Sequence, residues 1–462
     1  MIKVSNFLPL LLLASCTLGP DYERPLFWSD DELKNSLETM DDNNYQDKNW
    51  FYIFGDEELN LLIEKAKQNN LNVKAAISKL RQARYSLDIG KVKYWPMIDV
   101  GGEYNYKYAT AYGELGNKNS FYNFGFDASW EIDIWGEGRR YTESLSALYE
   151  STAANLDNVL LLITTEVANN YFGLITAHNQ LQIAKKNLRV QNDILKVVKD
   201  KYKNGLVEDG DLDQARFAVE STRAMIPDLE QAVNVYENAI SILMGKLPNK
   251  NLIKIYEKNI ARGAFTYDIK KLKQFPVSVV RSRPDVREAE KILKSKNAEI
   301  GAAIAAMFPN ISLSSALGRQ AHKFDELNYS KYAAYGYTPA ISMPFLHWGQ
   351  LLNEVEMSKE AKNEALYMYQ NVMLNAVEEI KNAMSAVERE YEKNRALKNA
   401  AANMKKVLAA MRIKYKEGLI EFSDLLASEQ NLLTAENKLA ESDGQVYKNI
   451  ISFYKAIGGG YY

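Results

Sequence analysis

The chain has 462 residues, length enough for two or three ordinary domains, and its 47% hydrophobic and 25% charged residues are the balance of a folded protein, which excludes disorder. A formal net charge of -2 and a pI near 6.1 leave no electrostatic footprint for nucleic acid, and no basic stripe interleaved with aromatics occurs. The single cysteine, Cys16, excludes a disulfide framework and argues against thiolate metal sites.

At the N-terminus, Lys3 supplies a short basic region and Phe7 to Leu13 a short apolar run. Leu13-Ala14-Ser15-Cys16 follows and resembles a bacterial lipobox, so residues 1–15 are expected to be a lipoprotein signal peptide and Cys16 the lipidated residue. Thr17, rather than an aspartate, follows Cys16, which in that pattern implies sorting to the outer membrane. Residues 16–55 read as a lipid-anchored, extended segment whose Asp30-Asp31-Glu32 and Asp41-Asp42 form a solvated face. No later segment, Val159 to Ile163 included, has the apolar length of a spanning helix, so a chain that crosses a membrane must do so as a closed barrel.

Beyond residue 55 the chain repeats itself at a fixed offset of 213 residues without a gap. Pro96 and Pro309, Trp135 and Trp348, Gly136 and Gly349, Glu166 and Glu379, Tyr202 and Tyr415, Gly205 and Gly418, and Gly245 and Gly458 are all matched in this way. The repeats are residues 56–248 and 274–462, joined by a lysine-rich connector, 249–273.

In the first repeat a helix from Glu57 to Lys93 leads to a hairpin over 94–135. There Ile98, Val100, Tyr104, Tyr106 and Tyr108 alternate with polar residues; a glycine-rich loop, 113–119, then turns back into Tyr122, Phe124, Phe126, Ala128, Trp130, Ile132 and Ile134. At Trp135-Gly136 the period changes. Residues 137–203 read as one long helix, with Leu160, Ile163, Val167, Tyr171, Leu174, His178, Leu181, Ala184, Leu188, Leu195 and Val198 near coiled-coil spacing. At about 1.5 Å per residue such a helix is roughly 100 Å long and must pack lengthwise against neighbours. A turn at Tyr202 to Leu206 ends it, where Gly205 takes the left-handed position and Leu206 can fold back on the last turn; a helix over 209–247 returns. The second repeat gives a helix, a hairpin over 308–347, a long helix over 350–416, a turn with Gly418-Leu419 and a helix over 423–457. Its last strand places Tyr335, Tyr337, Ile341, Met343 and Phe345 on one face, weakened by Pro339 and Pro344.

The fold class is thus an α+β membrane protein with a duplicated half-chain. Two hairpins supply four strands where the smallest outer-membrane barrels need about eight, so one chain cannot close a barrel. Two chains would close a side-chain-filled barrel, and three would give about twelve strands and room for a channel.

Enzymatic signals are weak. His178, His322 and His347 fall in different elements, and no metal or phosphate-binding motif occurs, so no catalytic residue, metal or cofactor is predicted. Glu131 and Asp133 could form an acid–base pair, but two residues apart on one strand face they read better as lining of a polar barrel lumen.

Taken together, Cys16, Gly19 to Pro25, Trp130 to Gly136, Arg283 to Glu290, Phe308-Pro309, Pro344-Phe345 with Gly349, and Gly458 to Gly460 resemble the TolC-like outer-membrane efflux proteins, in the lipoprotein branch that serves tripartite resistance-nodulation-division pumps. The resemblance covers nearly the whole mature chain. It implies a homotrimer whose twelve-stranded barrel in the outer membrane of a Gram-negative bacterium is continuous with a periplasmic helical tunnel. It implies a passive exit duct for drugs or other small molecules, served by a periplasmic adaptor, or membrane fusion protein, and an inner-membrane transporter. Carried over by residue, Gly205, Leu206, Gly418 and Leu419 are the adaptor-docking tips. An aspartate common after the Leu-Leu pair of the returning helix is replaced here by Ala427, leaving Asp424 and Glu429 as candidates for an acidic periplasmic gate. Trp135, Gly136, Trp348 and Gly349 mark the joint of barrel and tunnel. Two other readings share parts of this pattern: the outer-membrane channel of a type I protein secretion system, and a non-conducting coiled-coil lipoprotein.

Overall fold

The computed structural model describes residues 17–39, 49–109, 117–248 and 274–460. Cys16, the connector and most of the loop after the first strand lie outside the described residues. The helices are α1 (Asp30–Leu37), α2 (Glu57–Asn69), α3 (Leu71–Val92), α4 (Glu137–Lys203), α5 (Asp209–Leu243), α6 (Ser278–Ser282), α7 (Pro284–Ala305), α8 (Gln350–Lys416) and α9 (Phe422–Ala456). The strands are β1 (Met97–Ala109), β2 (Asn117–Ile132), β3 (Asn310–Ala321) and β4 (Ala333–Ser342). Two compact units result: one holds residues 17–25, 79–153 and 288–370, the other 26–78, 154–287 and 371–460.

In the first unit the strands form one antiparallel sheet in the order β1-β2-β3-β4, so the β2–β3 pairing joins the two repeats and β1 and β4 are its edges. The register sorts the side chains cleanly. One face carries Ile98, Val100, Tyr104, Phe124, Phe126, Trp130, Leu313, Leu317, Tyr335, Tyr337 and Ile341, many of them exposed in the single chain. The other carries Asp99, Glu103, Asp127 and Glu131 among serines, asparagines and glycines. An apolar face opposite a polar one is the pattern of a sheet with lipid on one side and water on the other. The last strand is shorter than its sequence suggests: β4 ends at Ser342, leaving Met343 and the nearly fully exposed Phe345 outside it, because Pro344 cannot donate to a ladder.

The second unit is helical. In α4, Ile163, Val167, Tyr171, Leu174, Leu181, Ala184 and Val198 are all buried, as the coiled-coil spacing requires. An eighteen-residue window of α4 does reach the apolarity of a membrane span, contrary to the sequence reading, but 56% of it is buried within the protein. Lengthwise packing against other helices accounts for that apolarity.

Two departures from the sequence expectation follow from local chemistry. The helix expected over Glu57 to Lys93 is broken at Asn70, whose ψ of 133° is not helical. Its Oδ1 caps α3 by accepting from the amides of Asn72 and Val73, while its Nδ2 donates to the carbonyl of Leu243. The expected extended segment 16–55 is partly folded. Ser29 and Glu32 form a capping box at the start of α1, Leu33 and Leu37 are buried, and Trp50 stacks on Tyr454. Its acidic residues are therefore helix-start residues as much as a solvated face.

Candidate channel elements

At the two tips the backbone is alike. After α4, the Gly205 amide donates to Tyr202 O (2.9 Å) and the Leu206 amide to Lys201 O (3.0 Å); after α8, Gly418 donates to Tyr415 O (3.1 Å) and Leu419 to Lys414 O (2.9 Å). Both glycines have positive φ, 68° and 73°, and no atom of the described residues lies within 4 Å of where a Cβ would stand. Glycine is needed there for backbone conformation alone, in the double bond pattern that ends a helix in the left-handed region. The leucines do not fold back as the sequence suggested: Leu206 is 70% and Leu419 67% exposed. The apolar contact falls one residue later, where Val207 packs on a cluster of Val198, Leu212, Ala215 and Phe422 drawn from α4, α5 and α9. Each tip thus presents an exposed leucine on a hydrogen-bonded turn.

Close to that cluster the candidate gate residues part company. Asp424 is exposed, but Glu429 is only 2% exposed, its Oε1 accepting from the Arg412 guanidinium at 3.0 Å. Its Oε2 and the Oε1 of buried Gln191 have no hydrogen-bond partner among the described residues, and both residues line a cavity of about 10 Å³, room for roughly one water. Burial pushes the Glu429 carboxyl above its ordinary range, and the Arg412 charge offsets part of that rise. In the single chain Asp424 is thus exposed, and Glu429 is an internal contact between α8 and α9.

In the first unit, the two joints between strand and helix also differ. Trp135 donates its Nε1 to Pro309 O (2.7 Å) and lies against Phe308, whereas Trp348 is 88% exposed with φ of 47°. Gly136 has φ of 85°, and a Cβ there would stand 2.8 Å from Thr17 Cγ2 and 3.0 Å from its Cα. Gly349 has φ of 80° but only Asn353 Nδ2, at 3.8 Å, for company. The segment after Cys16 causes this difference. Leu18 donates its amide to Trp135 O, and buried Arg140 donates to Leu18 O, Gly19 O and Asp21. Asn297 holds Pro20 O, and Arg24 pairs with Glu290. Arg140 and Asn297 carried no sequence signal of their own, since their partners are more than a hundred residues away in the chain.

The expected lumen pair also separates. Glu131 remains on the polar face and accepts from Asn310 Nδ2. Asp133 lies beyond the end of β2, and its Oδ2 accepts from the backbone amide and Nε of Arg139 in the first turn of α4. It anchors the start of α4. Among the described residues no three histidine, cysteine or carboxylate side chains come together as a metal site would need.

The family model described as outer membrane efflux protein matches residues 62–246 and 276–459, one match per repeat. The cation efflux system protein CusC of Escherichia coli is 26% identical over 461 residues, covering 99% of both chains. Nodulation protein T of Rhizobium leguminosarum bv. trifolii is 26% identical over 463 residues, 98% of this chain and 96% of that one. The solved structure of the outer-membrane channel OprN superposes with a TM-score of 0.88 at 27% identity, covering 96% of this chain and all of the other.

Proposed function

The chain belongs to the outer membrane efflux protein family, and on that premise we propose that three copies form the exit duct of a tripartite efflux system. Its place is the outer membrane, and its family role is to carry efflux across that membrane. The observation that carries the trimer is the sheet: four strands with an apolar face and two open edges, β1 and β4. Open edges in a membrane must be paired, and the smallest closed barrels need about eight strands. Pairing β4 of one copy with β1 of the next in a ring of three gives about twelve strands and an interior wide enough to conduct.

The exposed leucines of the tips, Leu206 and Leu419, suit docking of a helical adaptor, because an apolar side chain held on a fixed turn loses little entropy when covered. An inner-membrane transporter would then act through that adaptor. Cys16 serves as the lipid anchor, with the following residues strapped to Arg140 and Asn297. Asp424 supplies the acidic constriction, with Glu429 and Arg412 stiffening the helices behind it. Relatives at the same 26% identity are named for cation efflux and for nodulation, so cargo is set by the partner pump and not by this fold.

Purified protein in a planar lipid bilayer tests the duct. Discrete channels whose conductance rises in Asp424→Asn support both duct and gate; intact trimers that never conduct would leave only the scaffold reading. Loss of drug tolerance on deletion, with protein secretion intact, separates efflux from a type I secretion channel.

A further inference from the structure

On the apolar face of the sheet, at the end away from the helices, lies a cavity of about 570 Å³. That volume is within the range of about 300–1,000 Å³ usual for small-ligand sites. Its walls are Tyr104 and Tyr122, whose rings lie 4.6 Å apart, Phe124, Leu327, and Phe324, which meets Tyr122 edge-on at 5.7 Å. Arg319 closes one side, its Nη1 donating to Leu327 O at 2.7 Å and the rest of the fork free of any hydrogen bond among the described residues.

Arg319 is out of place on such a face unless something anionic meets it. Its register partner is Phe124, so it stands on the face of Val100, Phe126 and Leu317, which lipid covers in an outer-membrane barrel. Among the described side chains the register puts no other charged residue there. Glu103, which also borders the cavity, belongs to the polar face. In the loop beyond β3, Lys323 and Lys331 are accompanied by Asp325 and Glu326, so the loop itself carries no net sign and the selectivity rests on Arg319.

Height fits as well. Arg319 is nine residues along β3 from Asn310, about 30 Å of strand, or roughly 23 Å along the membrane normal at a tilt near 40°. The apolar band of such barrels is about 25 Å tall, which places Arg319 at its outer boundary, where tyrosines and lipid headgroups meet. A guanidinium there costs far less than at the midplane and forms strong forked bonds to phosphate.

We propose that this cavity binds a phosphorylated lipid of the outer leaflet, with its phosphate on Arg319, its headgroup against Tyr104, Tyr122 and Phe324, and its acyl chains running down the apolar face past Phe126 and Leu317. The lipid is a fixed part of the barrel's outer wall and is not cargo, because Arg319, Tyr104, Tyr122 and Phe124 stand on the face opposite the lumen. The placement rests on the barrel reading above, so the test keeps the two apart.

The experiment is native mass spectrometry of delipidated, purified trimers given diphosphorylated lipid A, the same lipid with its phosphates removed, or phosphatidylcholine. Saturable retention of the diphosphorylated lipid is expected, at least about tenfold above the other two. Arg319→Gln should lower it about tenfold, Arg319→Lys less, and Phe324→Ala should weaken it without abolishing the preference for phosphate. Equal retention of the dephosphorylated lipid or of phosphatidylcholine by the wild-type protein overturns the site, as does unchanged retention in Arg319→Gln. Should that variant not assemble, the wild-type comparison among the three lipids decides alone. Conductance in phosphatidylcholine bilayers is measured on the same sample; channels that conduct but show no lipid preference end this proposal and leave the duct intact.

Discussion

Asn70 and Arg283, 213 residues apart, do the same work in the two repeats. Asn70 Nδ2 donates to the carbonyl of Leu243 (2.9 Å), and Arg283 Nη1 donates to that of Ala456 (2.6 Å), itself 213 residues after Leu243. Each sits at the break before the helix that leads to a hairpin, and each ties that break to the end of a returning helix. The second repeat adds charge: Arg283 also pairs with Asp285 and Glu379, both at 2.7 Å.

Asn70→Ala should cost about 1–2 kcal/mol, the loss of an N-cap and of a buried amide bond. Arg283→Asn, which copies the first repeat, should be milder than Arg283→Ala, since asparagine reaches the equivalent carbonyl in that repeat. Thermal unfolding followed by circular dichroism measures both; equal losses in the two Arg283 variants would show that the shared carbonyl bond is not what matters.

The two joint glycines should respond differently. Gly136→Val meets both a positive φ and the backbone of Thr17, and should abolish the SDS-resistant trimer. Gly349→Val meets only the positive φ, a strain of about 1–3 kcal/mol, and should leave a less heat-stable trimer. Gel mobility before and after heating reads the difference, and an assembled, conducting Gly136→Val protein would refute the strap.

At the tips, Leu206→Asp and Leu419→Asp should abolish drug efflux in cells while leaving trimer yield and bilayer conductance unchanged, because both side chains are exposed and support no packing in the chain itself. Susceptibility assays beside conductance records check this. A variant that loses conductance as well would make the leucines structural.

The polar face of the sheet sets Asp99 directly opposite Asp127, with Glu103 and Glu131 above and below and Lys107 as its one basic residue among those described. Like charges so placed favour cations in a narrow lumen. Reversal potentials in a salt gradient should show cation preference, reduced in Asp99→Asn with Asp127→Asn; an anion-selective wild-type channel would contradict the lumen assignment.

For Glu429 the sign runs through burial. Its folded-state carboxyl titrates above the unfolded value of 4.5, so the folded state binds the proton more tightly and loses stability as pH rises through that raised value. Glu429→Gln removes the buried charge and leaves half-exposed Arg412 to water. The variant should therefore gain stability relative to wild type at neutral pH and above, with the gain vanishing below about pH 4–5. Melting temperatures across pH 4–8 measure it, and a variant less stable at every pH would mean that the Arg412 bond outweighs burial.

Much of this protein is written locally in its sequence. The duplication, the alternating strands, the uninterrupted helices and the glycine turns at their tips all depend on spacing within a few residues, and the structure reproduces them within a few positions. What spacing cannot carry is the choice of partner. Glu429 and Asp424 look alike in sequence, yet Arg412 and the cavity by Gln191 take one inside and leave the other exposed. Trp135 and Trp348 match at the same offset, but only the first has Phe308 and Pro309 to pack on. Asp133 leaves the strand pattern to hold Arg139, and the acidic N-terminal segment folds because Trp50 finds Tyr454 some four hundred residues later. Periodicity fixes which face a residue is on; only the folded chain decides what that face meets, because burial and ion pairing are set by contacts between segments distant in the sequence.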